Sequence, residues 1–170
     1  MPAKEVVFRE EYSGPLVNDC SGYFRKVTKR LSIPIPDLLA DQLIDLISTR
    51  WTNIGKGAEG GPTAQGFAKQ GSFVVALLSA KDHYPFRPNP ETLEYDEGKI
   101  PHPYKHGHLA IVLPTPTTDY PYVICGSTGD GKSDGSKKVY QKGAHSPWRE
   151  IDASNVQYYR TPWIVPDPSK

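Results

Sequence analysis

The sequence predicts an α+β protein in which helices near the N-terminus pack on a central antiparallel β-sheet. Two amphipathic helical patterns come first and several short apolar strands follow them. Proline and glycine are frequent between these segments, with 17 and 15 of each in 170 residues. Helices and strands that are segregated along a chain are typical of this fold class. A chain of this length suits one domain, which we expect to span 1–170 with its core at about 12–160.

The first predicted helix spans 19–31. Asn18 or Asp19 can cap it, because either side chain accepts hydrogen bonds from the unpaired amides of a first turn. Apolar residues recur at helical spacing, which keeps one face buried; they are Cys20, Tyr23, Phe24, Val27 and Leu31. Pro34 and Pro36 end this helix.

The second helix is the clearest amphipathic segment, and it extends from a cap at Asp37 to Trp51. After it we expect a turn-rich break, a short helix with Pro62 in its first turn, and a buried strand. A long proline-rich excursion, two more strands, a flexible loop and two final strands complete the prediction. In order, these segments are 55–61, 62–70, 72–79, 81–105, 108–113, 120–125, 126–143, 148–151 and 155–159.

Charge and hydropathy exclude several classes of protein. The formal net charge of +1 gives no electrostatic reason to bind nucleic acid or an anionic membrane. The longest apolar run, 73–78, is far too short to cross a bilayer. The N-terminal residues contain no apolar signal region. We therefore expect synthesis in the cytoplasm without a signal peptide.

Cys20 is the strongest candidate for a reactive group. A thiol at the start of a helix lies in the positive field of the helix dipole, which favours the thiolate and lowers the pKa. A buried structural cysteine is the alternative for any single cysteine. The polar residues before Cys20 and the Ser-Gly after it favour a nucleophile. Pairing with Cys125 would destroy that nucleophile, so we expect both thiols to be reduced.

A thiol nucleophile needs a base within hydrogen-bond reach, and histidine is the usual one. His106 and His108 flank a glycine at the head of an apolar strand, and alternation places His108 on one face with Ala110 and Val112. A histidine satisfied within the core is the alternative interpretation. The other three histidines are expected on the surface; they are His83, His102 and His145.

The segment 126–133 matches the phosphate-loop pattern G-x-x-x-x-G-K-S. That pattern binds phosphate only when a helix begins after the lysine and presents its amides. No apolar helical face follows Lys132, so we expect no nucleotide binding. No set of metal ligands is complete either, and we expect neither a metal nor a cofactor.

With these residues in view, the chain resembles the papain-like NlpC superfamily of cell-wall cysteine peptidases. It is more similar still to the peptidoglycan amidase effectors of bacterial type VI secretion. The matching stretches span most of the chain in order: Tyr12-Ser-Gly14, 18–27 with Asp-Cys-Ser-Gly, 33–36, 51–59, 64–67, 107–112 and 125–127.

The resemblance implies a papain-like fold and cleavage of an amide bond in the peptide stem of peptidoglycan, between D-glutamate and meso-diaminopimelate. It implies the following site: Cys20 as nucleophile, His108 as base, Cys125 at the third catalytic position, Tyr12 near the oxyanion, and Asp19 and Ser21 toward the substrate. Two features depart from the family. The excursion 81–105 is longer, and Cys125 replaces the usual His, Asn or Gln, so a Cys–His dyad is the safer description.

The resemblance also implies partners and a place of action. An antibacterial effector would be exported by a secretion apparatus, would act in the periplasm of target cells, and would be held in check by an immunity protein in the producer. A self-directed cell-wall remodelling or phage hydrolase is one alternative. A non-catalytic NlpC-like binding domain is another, although intact Cys20 and His108 weigh against it.

Overall fold

The computed structural model describes residues 3–12, 20–87, 100–101, 105–114, 119–126, 129–132 and 148–168. The helices in these ranges are α1 (Ala3–Tyr12), α2 (Cys20–Arg30), α3 (Ala40–Arg50) and α4 (Gly57–Lys69). The strands are β1 (Thr52–Lys56), β2 (Val74–Leu78), β3 (Phe86–Arg87), β4 (Ile100–Pro101), β5 (His108–Val112), β6 (Tyr122–Cys125), β7 (Gly129–Lys132) and β8 (Gln157–Arg160). Two 3₁₀ helices span Ala80–Asp82 and Glu150–Asn155. No helix in the described ranges has the length and apolar character needed to cross a membrane.

Six strands form one sheet in the order β1-β8-β2-β5-β6-β7, and every neighbouring pair is antiparallel. β3 and β4 form a separate two-stranded ribbon at the two ends of the proline-rich excursion. The predicted α+β class, with N-terminal helices on an antiparallel sheet, is confirmed. The predicted strands 72–79 and 108–113 correspond to β2 and β5, which lie side by side at the centre of the sheet.

The sheet is covered on both faces, and alternate residues of β5 belong to different cores. Leu109 and Ile111 pack with the apolar faces of α1, α2 and α3. Ala110 and Val112 pack in a second cluster with Ala64 of α4. Alternation along the strand places His108 on this second face, as predicted.

The structure corrects the predicted start of the second helix. α3 begins at Ala40, and its N-cap is Leu39, whose backbone N–H donates to the side chain of Gln42. Asp37 does not cap it; its carboxylate instead pairs with Arg25 at 2.7 Å.

Helix α1 was not predicted from the sequence. Val7 and Phe8 bury its apolar side, and Glu11 pairs with Arg30 of α2 at 2.8 Å.

The predicted break at 55–61 is also wrong. β1 continues to Lys56 and α4 begins at Gly57, so Pro62 lies inside the helix and not in its first turn. Gly57 makes the sharp turn possible, because its φ of +55° favours glycine and its amide donates to Val156 O at 2.9 Å. The predicted strand at 148–151 is wrong as well, since the chain forms a 3₁₀ helix at Glu150–Asn155 before β8.

Four residues of the phosphate-loop pattern, Gly129–Lys132, form strand β7 where a flexible loop was predicted, while 127–128 and 133–143 lie outside the described residues. β7 pairs with β6, with Gly131 opposite Val123 and Lys132 opposite Tyr122. Successive backbone amides of a strand alternate in direction and therefore do not converge on a phosphate, as those of a phosphate loop must.

We predict that the protein binds no ATP in the presence of magnesium ions, because Lys132 lies in a strand that pairs with β6. Isothermal calorimetry checks this. Micromolar binding that Lys132→Ala removes would contradict it.

Candidate active site

Helix α2 sets the position of Cys20. Tyr23, Phe24 and Val27 are buried on the sheet, and the Tyr23 hydroxyl donates to the carbonyl of Phe8 in α1 at 2.8 Å. Cys20 is the first residue of this helix and is partly exposed. The predicted placement of Cys20 at the start of a helix is therefore confirmed, while Asn18 and Asp19 lie outside the described residues.

Cys20 packs against the second apolar cluster, which includes Ala110 and Cys125. α2 contacts both β5 and β6, the strands that carry these two residues. The body of α2 covers the first face of the sheet, whereas its first residue reaches the cluster on the second. The fold thus brings the thiol to the part of the sheet where His108 is located.

His108 begins β5 opposite Leu78 of β2, and its side chain is mostly buried. Cys125 ends the neighbouring strand, is fully buried, and makes a side-chain hydrogen bond with the imidazole. That hydrogen bond raises the pKa of His108 above its usual value, although burial opposes the shift. Neither cysteine is in a disulfide, as predicted.

The Nδ1 atom of His108 is buried and has no hydrogen-bond partner among the described residues. A proton on Nε2 leaves Nδ1 as an acceptor, and an unpartnered acceptor is what a general base requires.

His106 lies outside this arrangement. Its side chain is 76% exposed, and its Nδ1 donates to Asp41 Oδ2 at 2.9 Å. The structure thus separates the two histidines of the His-Gly-His sequence, one in the interior and one on the surface.

His83 was predicted on the surface, and that prediction is wrong. Its side chain is only 5% exposed, and its Nδ1 donates to Ser79 O at 2.9 Å. Burial lowers the pKa of His83; Asp152 opposes this shift, and the charge of nearby His108 adds to it. His83 is therefore a neutral, buried histidine close to His108.

A polar clamp that the sequence did not reveal fixes the chain after His83. Asp152 is fully buried, accepts the Tyr84 N–H at 2.6 Å and pairs with Arg149 at 2.8 Å. Arg149 also donates to the carbonyls of Tyr84 and Phe86, at 2.7 and 2.8 Å. The first residues of the excursion are thus anchored beside the histidines. No local pattern marks the contacts with Tyr84 and Phe86, which lie more than 60 positions from Arg149 and Asp152 in the sequence.

Of the remaining predicted site residues, only Ser21 has a described side chain. Ser21 follows Cys20 in α2 and is buried. Tyr12 ends α1, but its side chain lies outside the described part, as do Asp19, His102 and His145. In the described ranges, no three His, Cys, Asp or Glu side chains come together in a group that could hold a metal ion.

No protein-family model matches the chain. Over 149 residues it is 28% identical to the peptidoglycan amidase Tse1 of Pseudomonas aeruginosa, an alignment that covers 85% of this chain and 76% of Tse1. The chain is similar to a peptidoglycan amidase. The similarity to Tse1 confirms the resemblance to the amidase effectors that the ordered motifs predicted.

We predict that His83→Gln makes stability less sensitive to acid. A buried histidine with a lowered pKa contributes stability that is complete above its unfolded pKa, about 6.5, and is lost as the pH falls through its folded pKa. Urea unfolding at pH 7.5 and pH 5.0 measures the difference. The exposed His106→Gln serves as the control and should lose stability as the wild type does. An unchanged pH dependence in His83→Gln would contradict the assignment.

Proposed function

We propose that this protein is a cysteine amidase that hydrolyses the peptide stem of peptidoglycan. One observation carries the proposal: Cys20, at the start of α2, packs on the cluster that contains Cys125, the hydrogen-bond partner of His108. The similarity to Tse1 supports the substrate class. The catalytic mechanism follows from the chemistry of a thiol and an imidazole in one site.

In this mechanism His108 Nδ1 takes the proton of the Cys20 thiol, and the sulfur attacks the carbonyl carbon of the amide. The tetrahedral oxyanion collapses to a thioester as the C–N bond breaks, and His108 returns its proton to the leaving amine. Water, deprotonated by the same nitrogen, then attacks the thioester. The products are a carboxylate, an amine and the regenerated thiol.

The residues around the site stabilise the thiolate of Cys20 and the imidazolium of His108 that form during the reaction. Cys20 lies in the first turn of an 11-residue helix, where the dipole stabilises a thiolate. Cys125 stabilises the imidazolium through the hydrogen bond that raises the pKa of His108. We assign Cys125 the orienting role that an amide or a second histidine has in related enzymes.

Substrate contacts follow from the family resemblance. The backbone N–H of Cys20, with the hydroxyl of Tyr12, would stabilise the oxyanion; one such donor typically contributes about 3 kcal/mol to the transition state. Asp19 and Ser21 would contact the stem peptide. We propose the bond between D-glutamate and meso-diaminopimelate as the one cleaved.

The proposed biological role is that of an antibacterial effector. The protein would be exported by a secretion apparatus, would act in the periplasm of a target cell, and would be neutralised in the producer by a cognate immunity protein. The resemblance to the type VI amidase effectors supports this role, and the similarity to Tse1 supports the substrate.

We predict that Cys20→Ala abolishes the release of muropeptide products from purified peptidoglycan while the fold persists. His108→Ala should reduce the rate by a factor of about 10² to 10⁴, the usual contribution of a general base. Mass spectrometry of the digest measures both effects and identifies the bond that is cut.

The matched control is His106→Ala, which removes the neighbouring surface imidazole and should leave the rate within about twofold. Turnover by Cys20→Ala would refute the thiol mechanism. A larger loss in His106→Ala than in His108→Ala would refute the choice of base.

We also predict that toxicity depends on compartment, because peptidoglycan lies outside the inner membrane. Expression in the cytoplasm of a Gram-negative host should be tolerated, whereas fusion to a secretory signal should cause lysis that Cys20→Ala prevents. Culture turbidity and cell counts measure the outcome. Harmless delivery of an enzyme that cleaves isolated peptidoglycan would favour a remodelling hydrolase, and killing from the cytoplasm would exclude the cell wall as the target.

A further inference from the structure

The residue that precedes the proposed base is tightly enclosed. Gly107 is buried, and a Cβ atom added to it would lie 2.7 Å from Leu78 O and 3.2 Å from Ser79 Cα, and would overlap the side chain of Ile44. Gly107 is thus wedged between α3 and the end of β2. Since glycine has no side chain to anchor it, its orientation depends on this packing and on its backbone amide.

That amide has a specific partner. The N–H of Gly107 donates to Asp41 Oδ1 at 2.8 Å, while the other carboxylate oxygen accepts from His106 at 2.9 Å. Asp41 lies in the first turn of α3, a helix that packs against β5. One carboxylate therefore holds two consecutive residues directly before His108.

The carboxylate is charged at neutral pH. Burial tends to raise the pKa of Asp41, but the Gly107 amide and then His106 outweigh burial and hold that pKa below its usual value. A hydrogen bond from an amide to an ionised acceptor is stronger than one between neutral groups. The bond from the Gly107 amide to Asp41 is therefore charge-assisted whether or not His106 is protonated.

The location of this attachment matters because His108 is the first residue of its strand. The pairing of β5 with β2 runs from Ile111 opposite Val75 to His108 opposite Leu78 and stops there. The end of a ladder is the part of a strand most prone to fraying. In catalysis, misplacing a group by about 1 Å can reduce the rate about 10²-fold.

We infer that Asp41 is a positioning residue for His108, acting through the backbone of Gly107. Asp41 fixes where β5 begins and hence where the imidazole lies relative to Cys20. The inference rests on the proposed function, in which His108 is the base. It assigns the carboxylate no contact with the substrate and no share in proton transfer.

The test compares four variants of the full chain. Asp41→Ala removes the acceptor. Asp41→Asn keeps an oxygen for the Gly107 amide, and its NH₂ can donate to a neutral His106. His106→Ala removes the surface partner alone, and Asp45→Ala removes an exposed carboxylate one turn further along α3. Two readouts apply to each variant: kcat and KM on a soluble stem peptide, and the NMR signals of the His108 ring, assigned with His108→Ala.

We expect Asp41→Ala to lower kcat by about tenfold to a hundredfold with KM within about twofold, and to shift or broaden the His108 ring signals. Asp41→Asn, His106→Ala and Asp45→Ala should stay within about threefold of the wild type and keep its ring signals. A wild-type kcat in Asp41→Ala with unchanged ring signals would overturn the inference, and so would equal losses in Asp41→Asn and Asp41→Ala.

The two proposals fail in different ways. A wild-type protein that cleaves no stem peptide would refute the proposed function. The NMR comparison would still decide whether Asp41 positions the His108 ring, since it requires no substrate.

Discussion

The candidate site depends on the pairing of β5 between β2 and β6. β2 places Leu78 opposite His108, and β6 brings Cys125 to the same face. The buried faces of these strands leave little freedom of register, because a slip by one residue would move His108 to the face covered by α1, α2 and α3. The packing of α2 on this sheet then brings Cys20 to the cluster that contains Cys125. The chemistry is thus a consequence of one central strand and the helix that lies across it.

In the candidate site, the pKa values of His83 and His108 are shifted in opposite directions. The hydrogen bond with Cys125 favours the charged form of His108, whereas burial favours the neutral form of His83. The charge on His108 further lowers the pKa of His83, so His108 takes up a proton at a higher pH than His83 does. Groups whose surroundings separate their pKa values in this way are typical of sites that carry out proton transfer. His83 is therefore suited to stay neutral while His108 changes its charge.

The sequence predicted the parts of this arrangement that local patterns encode. Cys20 at the start of a helix and His108 at the head of a strand follow from apolar spacing and alternation, which depend only on near neighbours. The cap of α3 was mistaken because Asp37 has the right chemistry for a cap, whereas the helix begins at Ala40 and Gln42 accepts from the backbone of its N-cap, Leu39. The Arg149–Asp152 clamp and the Asp41–Gly107 bond were not predictable, since each joins side chains to backbone brought together only by the fold. The polar sequence around His83 likewise gave no sign of its burial.

The pH dependence of Cys20 alkylation by iodoacetamide, followed by peptide mass spectrometry, tests the central claim most directly. The buried Cys125 serves as an internal control and should remain unmodified in the folded protein. If Cys20 and His108 form a dyad at the start of α2, the apparent pKa of Cys20 will lie below the ordinary thiol value of about 8.5 and will rise toward it in His108→Ala. An ordinary pKa for Cys20 in both proteins would contradict the account, whatever the substrate proves to be.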